Sequence, residues 1–285
     1  MAYAGRRIAL ATLHGKERVL ARPLRIGLGL ELCHTRAVDT NQFGSFCGDQ
    51  PRLDDAVLTA QRKAEAAMQA LGLDLGLASE GSFGPHPRVP LLVAGVECLV
   101  VVDHRSERVV VEQAISARTN FAATSVASLE AAEAWLVAVG FPSHSVMVRP
   151  AESVSRSSSP WLAKGVSDPR RLSGLITAAV ARSPRRLAWL ETDMRAHCNP
   201  TRMASIRRLA FQLVRRLQCC CPLCQAPGFS LVGTIPGLPC STCGLATDWA
   251  RLELWGCDLC SHQQRRERRD GLRTVDPAYC PYCNP

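Results

Sequence analysis

Short apolar runs alternate with longer amphipathic segments over the first 150 residues. Glycine, proline and charged residues bound these runs, which is typical of strands. The runs that predict strands are 7–12, 31–38, 73–78, 96–103, 108–113 and 145–149. Residues 54–71 and 128–139 have the spacing and composition of helices, and Gly72 and Gly140 follow their ends. The alternation of strands and helices predicts a layered α/β fold.

The second half of the chain begins with a serine-rich segment near 153–160, which predicts an exposed loop. Aspartate or asparagine followed by proline at 168–169 and 199–200 predicts the starts of two helices, to about residues 181 and 217. Residues 186–190 predict a further strand. Because the cysteines concentrate near the end, we divide the chain into an α/β domain over 1–218 and a small zinc-ribbon domain over 219–285.

Composition places the chain among ordinary globular proteins, since 47% of its 285 residues are hydrophobic and 21% are charged. The longest apolar run, 89–102, is interrupted by Gly95 and Glu97 and is too short to cross a membrane. The apolar run at 8–13 is too short for a signal peptide and has no cleavage site. These features predict a cytoplasmic protein with no membrane partner.

Eight of the fourteen cysteines form four CxxC pairs. Two thiolates with two residues between them converge on one ion, and a tetrahedral zinc site needs two such pairs. We therefore predict about two structural zinc ions. Their ligands are Cys221, Cys224, Cys240, Cys243, Cys257, Cys260, Cys280 and Cys283. We expect each pair to join the next along the chain, with interleaved pairing as the alternative. Redox-active dithiols or an iron–sulfur cluster would also use such pairs.

Three other cysteines lie near candidate sites. Cys219 and Cys220 adjoin the first CxxC pair, and we interpret them as spare residues at a helix end. Cys47 lies in a glycine-rich loop and is a candidate reactive thiol.

Two polar loops early in the chain are candidate ligand sites. The first strand is followed by Thr12, His14 and Lys16, and a strand that leads through a glycine loop into a helix is a natural phosphate site. The loop 39–49 mixes acids, amides, hydroxyls and glycines, which suits ligand binding. A long ordered turn explains that second loop equally well.

Two later loops carry groups for acid–base or metal chemistry. Glu80 follows a predicted buried strand, where ligands of open α/β sheets bind, and it is a candidate for Mg²⁺ or a reacting water. His86 is a candidate phosphate or metal ligand, or a loop histidine fixed by two prolines. Asp193, Arg195 and His197 precede a predicted helix N-terminus. Surface ion pairing with a helix cap is the alternative for these three.

Several common catalytic signatures are missing from the sequence. There is no GxGxxG, P-loop, GxSxG or HExxH motif. This disfavours dinucleotide oxidoreduction, Walker-type nucleotide hydrolysis and α/β-hydrolase chemistry.

Six segments occur together with the CxxC pairs: ATLHGKE, DTNQFGSFCGD, ASEGSFGPHP, TNF, FPSH and ETDMRAHCNPTRM. The combination resembles an uncharacterised bacterial family, a domain of unknown function with a C-terminal zinc-ribbon tail. The resemblance covers nearly the whole chain and implies no activity. Ser45 and Cys47 stand where we expect threonine in this family.

A more distant resemblance rests on the order of four features. They are a Thr-x-polar-x-Lys loop after the first strand, a helix containing Arg62-Lys63-Ala64, a strand with Glu80-Gly81, and a strand with Glu97. This order is similar to the house-cleaning nucleoside triphosphate pyrophosphatases, the inosine-triphosphatase and Maf-like α/β enzymes. The chain departs from them in three ways: His14 replaces an asparagine, Lys16 comes one residue early, and Ser79-Glu80 replaces paired acids.

This resemblance implies a Mg²⁺-dependent hydrolase of nucleotides or other phosphorylated substrates. The residues that we assign to phosphate are Thr12, His14, Lys16 and Arg195. Those assigned to Mg²⁺ are Glu80 and Glu97, with Lys63 to position the ion. Proton transfer is assigned to Asp193 or His197.

The competing hypothesis is a zinc-ribbon protein that binds nucleic acid without catalysis. The formal charge of +9 favours a polyanionic partner, although two four-thiolate zinc sites would lower it by four. The basic residues of this hypothesis are Arg265, Arg266, Arg268 and Arg269, with the arginines of the helix 201–218. The aromatic residues that would stack on bases are Trp255, Tyr279 and Tyr282.

Overall fold

A computed structural model of the chain describes residues 3–44, 50–152 and 160–284. The chain divides into two compact units, Tyr3–Leu213 and Val214–Pro285, and the division falls within the last long helix. Residues 45–49, with Ser45 and Cys47, lie outside the described part, as does most of the predicted serine-rich loop.

The first sheet is mixed and has five strands. Its elements, with the helices that join them, are β1 (Arg7–Ala11), α1 (Glu17–Leu28), β2 (Glu31–Thr35), α2 (Ala56–Leu71), β3 (Leu75–Pro85), β4 (Val93–Asp103) and β5 (Arg108–Ser116). The strand order is β2-β1-β3-β4-β5. β1 is parallel to β2 and β3, whereas β3, β4 and β5 form an antiparallel meander.

Local sequence signals set both ends of α2. The side chain of Asp55 accepts hydrogen bonds from the backbone N–H groups of Val57 and Leu58, at 2.8 and 2.9 Å. An N-cap carboxylate satisfies donors that the first helical turn leaves unpaired. At the other end Gly72 has a φ of 61°, in the left-handed region that glycine adopts without a steric cost.

Helix α2 covers one face of this sheet. The buried residues of the interface are Ala9, Ala11, Ala60, Ala64, Ala67, Met68, Ala78, Cys98, Val100 and Val102. The helix approaches closely at Gly76, where a Cβ would lie 2.6 Å from Sδ of Met68 and 2.8 Å from the carbonyl oxygen of Ala64. Because side chains alternate along a strand, the buried Leu75 and Leu77 point to the opposite face.

The second sheet has four antiparallel strands. Its elements are β6 (Ala123–Val126), α3 (Leu129–Val139), β7 (Val146–Pro150), β8 (Ala163–Val166), α4 (Pro169–Arg182) and β9 (Ala188–Thr192), and α5 (Pro200–Gln218) follows them. The strand order is β6-β9-β7-β8. Residues of α3 and α4 share one buried core with these strands, among them Leu136, Ile176 and Leu190.

The carboxy-terminal unit contains a three-stranded antiparallel meander. Its strands are β10 (Ser230–Pro236), β11 (Ala250–Gly256) and β12 (Gln263–Glu267), in that order. Short 3₁₀ helices occupy Thr40–Phe43, Ala196–Cys198 and Pro277–Tyr279.

The predicted α/β fold with a cysteine-rich module is confirmed. One strand is considerably longer than predicted, since β3 continues from the predicted 73–78 to Pro85. The reason is that residues 79–85 pair with residues 93–99 of β4. Glu80 therefore lies inside a strand rather than in a loop beyond it. Within the described residues, no helix is long and apolar enough to cross a membrane.

We expect Gly76→Ala to lower the free energy of unfolding by about 1–3 kcal/mol, because the new methyl group overlaps the backbone of α2. Gly84→Ala is the matched control on the same strand, since no atom lies within 4 Å of its Cβ position. Urea denaturation of the two variants measures the difference. Equal stabilities would show that the helix does not approach the sheet this closely.

Candidate functional site

A polar cleft lies at the carboxyl end of β1, beside the loop that leads to α1. The cleft is lined by Ala11, Thr12, His14, Lys16, Thr40, Asn41, Gly44, Lys63, Ala78, Ser79, Glu80 and Arg195. The structure thus brings together the predicted phosphate residues Thr12, His14, Lys16 and Arg195 with the predicted Lys63 and Glu80.

Lys16 is a buried cation of the cleft. Its Nζ donates a hydrogen bond to the carbonyl oxygen of Ser79, at 2.8 Å. Burial lowers the pKa of Lys16 to about 8, with a further contribution from the positive charge of Arg202. Lys16 is therefore mostly protonated at neutral pH but loses its charge far more readily than an exposed lysine does.

His14, which lines the cleft, stacks on the exposed His197. The rings of His14 and His197 have centroids 5.0 Å apart and are inclined by 21°. Burial lowers the pKa of His14 to about 3, helped by the neighbouring Lys16. Burial also lowers the pKa of His197, helped by Arg195. Both rings are therefore neutral near pH 7, so they offer one N–H donor and one acceptor each rather than a positive charge.

Glu80 holds two cations in place. Its Oε2 lies 2.5 Å from Nζ of Lys63, and its Oε1 lies 2.6 Å from Nη2 of Arg52. Burial tends to raise the pKa of Glu80, but the charges of Lys63, Lys16 and Arg52 lower it overall. The carboxylate is therefore ionised and positions Lys63. Arg52 was not predicted, because no motif marks it.

Glu97 lies in a second buried ion pair. Its Oε1 accepts from Nε of Arg202 at 2.6 Å, and its Oε2 accepts from Nη2 at 3.3 Å. Nη1 of Arg202 donates to the carbonyl oxygen of Met194 at 2.5 Å. The side chain of Arg202 is fully buried, so this arginine of the helix 201–218 is not on the exposed surface that the nucleic-acid hypothesis needs.

The two predicted magnesium ligands lie on opposite faces of the sheet. Gly81 is the residue opposite Glu97 in the β3–β4 ladder, and Glu80 is opposite Cys98. Adjacent strand positions point in opposite directions, so Glu80 turns towards α2 and Glu97 towards α5. This geometry gives no support to one Mg²⁺ held by both carboxylates.

Asp193 also forms a buried ion pair, with Arg195. It is fully buried and contacts Arg195 through both carboxylate oxygens, with Nη2 2.6 Å from Oδ2. It also accepts from the backbone N–H of Gly165 at 2.9 Å. Burial tends to raise the pKa of Asp193, and the hydrogen bond from Arg195 lowers it overall. Asp193 therefore orients Arg195, which leaves His197 as the predicted proton-transfer group that is exposed.

Among the residues that the structure describes, positive charge exceeds negative charge around the cleft. The cations are Lys16, Arg52, Lys63, Arg195 and Arg202, and the carboxylates are Glu80, Glu97 and Asp193. Each carboxylate is paired with at least one of these cations, and the excess is two positive charges. An excess of buried positive charge favours an anionic ligand.

Two other histidines have structural roles. Nδ1 of His86 accepts from the backbone N–H groups of Arg88 and Val89, at 3.1 and 3.2 Å, as expected of a loop histidine fixed in a turn. Nε2 of His144 accepts from the backbone N–H of Thr201 at 3.2 Å, in the first turn of α5.

The eight predicted metal ligands form two groups of four. One group is Cys221, Cys224, Cys257 and Cys260, and the other is Cys240, Cys243, Cys280 and Cys283. Sulfur–sulfur distances within the groups are 3.6, 3.7, 3.9 and 3.7 Å. Four sulfurs placed tetrahedrally around zinc at about 2.3 Å lie about 3.8 Å apart. The residues therefore fit a tetrahedral metal ion.

The expectation of sequential pairing is wrong, and the interleaved alternative is correct. β10 separates the first CxxC pair from the second by a seven-residue strand, about 20 Å long. β11 then returns the chain, because Ser230 pairs with Gly256, so the third CxxC pair meets the first. At the other end, Cys240 bridges to Val275, which brings the fourth pair to the second.

A signal for this arrangement is present in the sequence. Pro227-Gly228 and Pro236-Gly237 bound the segment 229–235, which contains Phe229, Leu231, Val232 and Ile235 together with Gly233. Turn residues at both ends favour a strand between them.

Backbone groups support the metal centres. The N–H groups of Cys243 and Thr242 lower the pKa of Cys240 to about 7, which favours the thiolate that binds metal. Cys219 packs against a small core that contains Cys221 and Phe229. Neither Cys219 nor the exposed Cys220 belongs to a four-sulfur group.

Three of the four tail arginines contact their own unit. The guanidinium of Arg266 lies 4.5 Å from the ring centroid of Trp255, and that of Arg269 lies 4.9 Å from it. Arg269 also pairs with Glu253 at 3.1 Å. Trp255 is thus covered by arginine rather than presented for base stacking.

The other two arginines of the segment 265–269 are Arg268 and Arg265. Arg268 pairs with Asp270 and donates to the carbonyl oxygen of Ala250 at 2.6 Å. Arg265 is exposed on β12. On α5, Arg207, Arg208 and Arg215 are exposed. The nucleic-acid surface stays a prediction. Fewer of its arginines are exposed without a described contact than the sequence indicated.

The family model of the domain of unknown function DUF6671 matches residues 63–285. The chain belongs to this family. The match includes Lys63, Glu80, the region around Asp193 and all eight metal ligands, whereas the loop from Thr12 to Lys16 precedes it. No curated protein and no solved structure matches the chain. The more distant resemblance to nucleoside triphosphate pyrophosphatases stays a prediction.

Paired cysteine substitutions test the interleaved arrangement. Serine at Cys221, Cys224, Cys257 and Cys260 leaves the second group complete, so this variant should retain about one zinc per chain. Serine at Cys221, Cys224, Cys240 and Cys243 leaves two ligands in each group, so this variant should retain almost none.

Elemental analysis and the absorption spectrum of the cobalt-substituted protein measure both variants. Sequential pairing predicts the reverse result, with zinc retained only by the second variant. Zinc contents in that reversed order would therefore contradict the interleaved pairing.

Proposed function

We propose that the amino-terminal unit binds and hydrolyses a phosphorylated small molecule in the cleft. The single observation that carries the proposal is the positive excess around the buried Lys16, with Lys63 and Arg195 lining the same cleft. Lysine and arginine side chains donate strong charge-assisted hydrogen bonds to phosphate oxygens. Partial burial strengthens these interactions, because the surroundings screen charge less than water does.

The carboxylates of the cleft support this role by positioning its cations. Glu80 fixes Lys63 and Arg52, and Asp193 fixes Arg195. Cations held in advance lose little side-chain entropy when the ligand binds. They are also in place to stabilise the charge that develops on phosphate oxygens during transfer.

His197 is the best candidate for proton transfer. It is exposed beside His14, and its lowered pKa keeps its ring neutral and able to accept a proton near pH 7. In the proposed step a water oxygen bonds to phosphorus, His197 accepts the water proton, and the bond from phosphorus to the leaving oxygen breaks. Mg²⁺ bound mainly through substrate phosphates remains compatible with this step, since such sites need only one or two protein carboxylates.

We further propose that both four-cysteine groups hold zinc in a structural role. Four thiolates per ion leave no open coordination position for a substrate. The meander of the carboxy-terminal unit has few buried hydrophobic residues of its own, so metal binding supplies folding free energy there.

A matched pair of substitutions on α2 tests the proposal. Lys63→Met removes a cation of the cleft, whereas Arg62→Met removes the neighbouring cation, which is exposed and pairs with Asp54. We expect Lys63→Met to weaken binding of pyrophosphate and nucleotides at least about tenfold, because a charge-assisted bond is lost. Arg62→Met should leave the affinity unchanged.

Titration calorimetry measures the affinities, and a substrate panel with and without Mg²⁺ measures release of phosphate or pyrophosphate. Equal effects of the two substitutions would show that the cleft is not the anion site. Binding without turnover of any substrate would remove hydrolysis and leave a phosphate-binding protein.

A further inference from the structure

The cleft beside β1 has room for one small group. It offers a volume of about 20 Å³ to the centres of atoms the size of a water oxygen. A sphere of that volume has a radius slightly longer than a P–O bond, so the oxygens around one phosphorus atom fit inside it. The second phosphorus of a diphosphate lies two bonds further on, and its oxygens fall outside such a sphere. The part of the cleft that the described residues line therefore has the size of a single phosphate group.

Lysine donors in the cleft are available to such a group. An ammonium group has three N–H donors. Nζ of Lys16 uses one on the carbonyl oxygen of Ser79, and Nζ of Lys63 uses one on Oε2 of Glu80. Among the contacts of the described residues, two donors of each lysine therefore stay available. The hydroxyl of Thr12 accepts a backbone hydrogen bond at 3.2 Å, which leaves its own proton to donate. The three terminal oxygens of a phosphomonoester are strong acceptors that can satisfy these donors.

The net charge around the cleft matches a ligand with two negative charges. Among the described residues, five cations and three carboxylates leave an excess of two positive charges. A phosphomonoester carries a charge of about −2 at neutral pH, since its second pKa is about 6. A carboxylate or a sulfate ester carries one negative charge and would leave one buried positive charge without compensation, which is unfavourable.

We infer that the cleft binds the single, doubly charged phosphate group of a phosphomonoester, while the organic group of the ester stays outside. This inference rests on the proposed function and names its substrate class. Two independent observations support it, the small volume of the cleft and the excess of two positive charges. It differs from the distant resemblance to pyrophosphatases, which implies nucleoside triphosphates as substrates.

The first test compares AMP, ADP and ATP by titration calorimetry at neutral pH and physiological ionic strength. The three nucleotides share base and ribose, and salt screens those charges that remain in solvent. We expect ADP and ATP to bind no more tightly than AMP, because only one phosphate group of each enters the cleft. An affinity for ADP or ATP tenfold above that for AMP overturns the single-phosphate site and leaves the anion site of the proposed function standing.

The second test compares phenyl phosphate with phenyl sulfate, which have the same shape but differ by one negative charge. We expect phenyl sulfate to bind at least about tenfold more weakly, because a positive charge in surroundings of low polarity stays uncompensated. Lys63→Met removes one of the two excess charges and should reduce this difference. Arg62→Met is the matched control and should leave the difference unchanged, since Arg62 is exposed and pairs with Asp54.

Each outcome bears on one proposal or on both. Equal affinities of the unmodified protein for phenyl phosphate and phenyl sulfate overturn the doubly charged site but not anion binding. Failure of every phosphorylated ligand to bind overturns this inference and the proposed function together. Both ligand comparisons use the unmodified protein, so they stay decisive where Lys63→Met does not fold.

Discussion

The buried ion pair between Arg202 and Glu97 is the interaction on which the amino-terminal unit depends. It joins β4 of the first sheet to the start of α5, and Arg202 also contacts Met194 at the end of the second sheet. Removal of one partner of such a pair costs about 3–5 kcal/mol, because it leaves a buried charge without compensation. The positive charge of Arg202 also lowers the pKa values of Lys16 and His14, so the contact that joins the two sheets also affects the candidate site.

The remaining charges of the cleft follow one arrangement. Glu80 and Asp193 each hold cations at fixed positions. Lys16 differs, because its Nζ donates to the backbone carbonyl oxygen of Ser79 and, among the contacts described, to no carboxylate. Burial of an ammonium group without a paired carboxylate is unfavourable unless an anion binds beside it. This cost is the physical reason for proposing phosphate rather than a metal cation as the ligand of the cleft. For the carboxy-terminal unit we propose a separate arrangement, in which thiolates and metal take the place of a large hydrophobic core.

Much of the fold could be predicted because its signals are local. Ser128 and Asp168 cap helices where the sequence indicates, and Thr12, His14 and Lys16 of one local segment line one cleft. Glu80 could not be placed correctly, because the length of β3 depends on its pairing with β4, far along the chain. The metal pairing likewise depends on the antiparallel return of β11. The contacts of Arg52 and the buried ion pair of Arg202 depend on tertiary packing alone, which no local pattern reveals.

The most direct test of the proposed anion-binding role of the cleft is the affinity for ribose 5-phosphate between pH 7 and 9. A phosphomonoester is already a dianion over this range, since its second pKa is about 6. A lysine carries its charge below its pKa and loses it above, and the pKa of Lys16 is about 8. The affinity should therefore fall as the pH rises through 8, and Lys16→Arg, which stays charged, should abolish this fall. Identical pH profiles for the two proteins would contradict the assignment of Lys16 and of the cleft to phosphate binding.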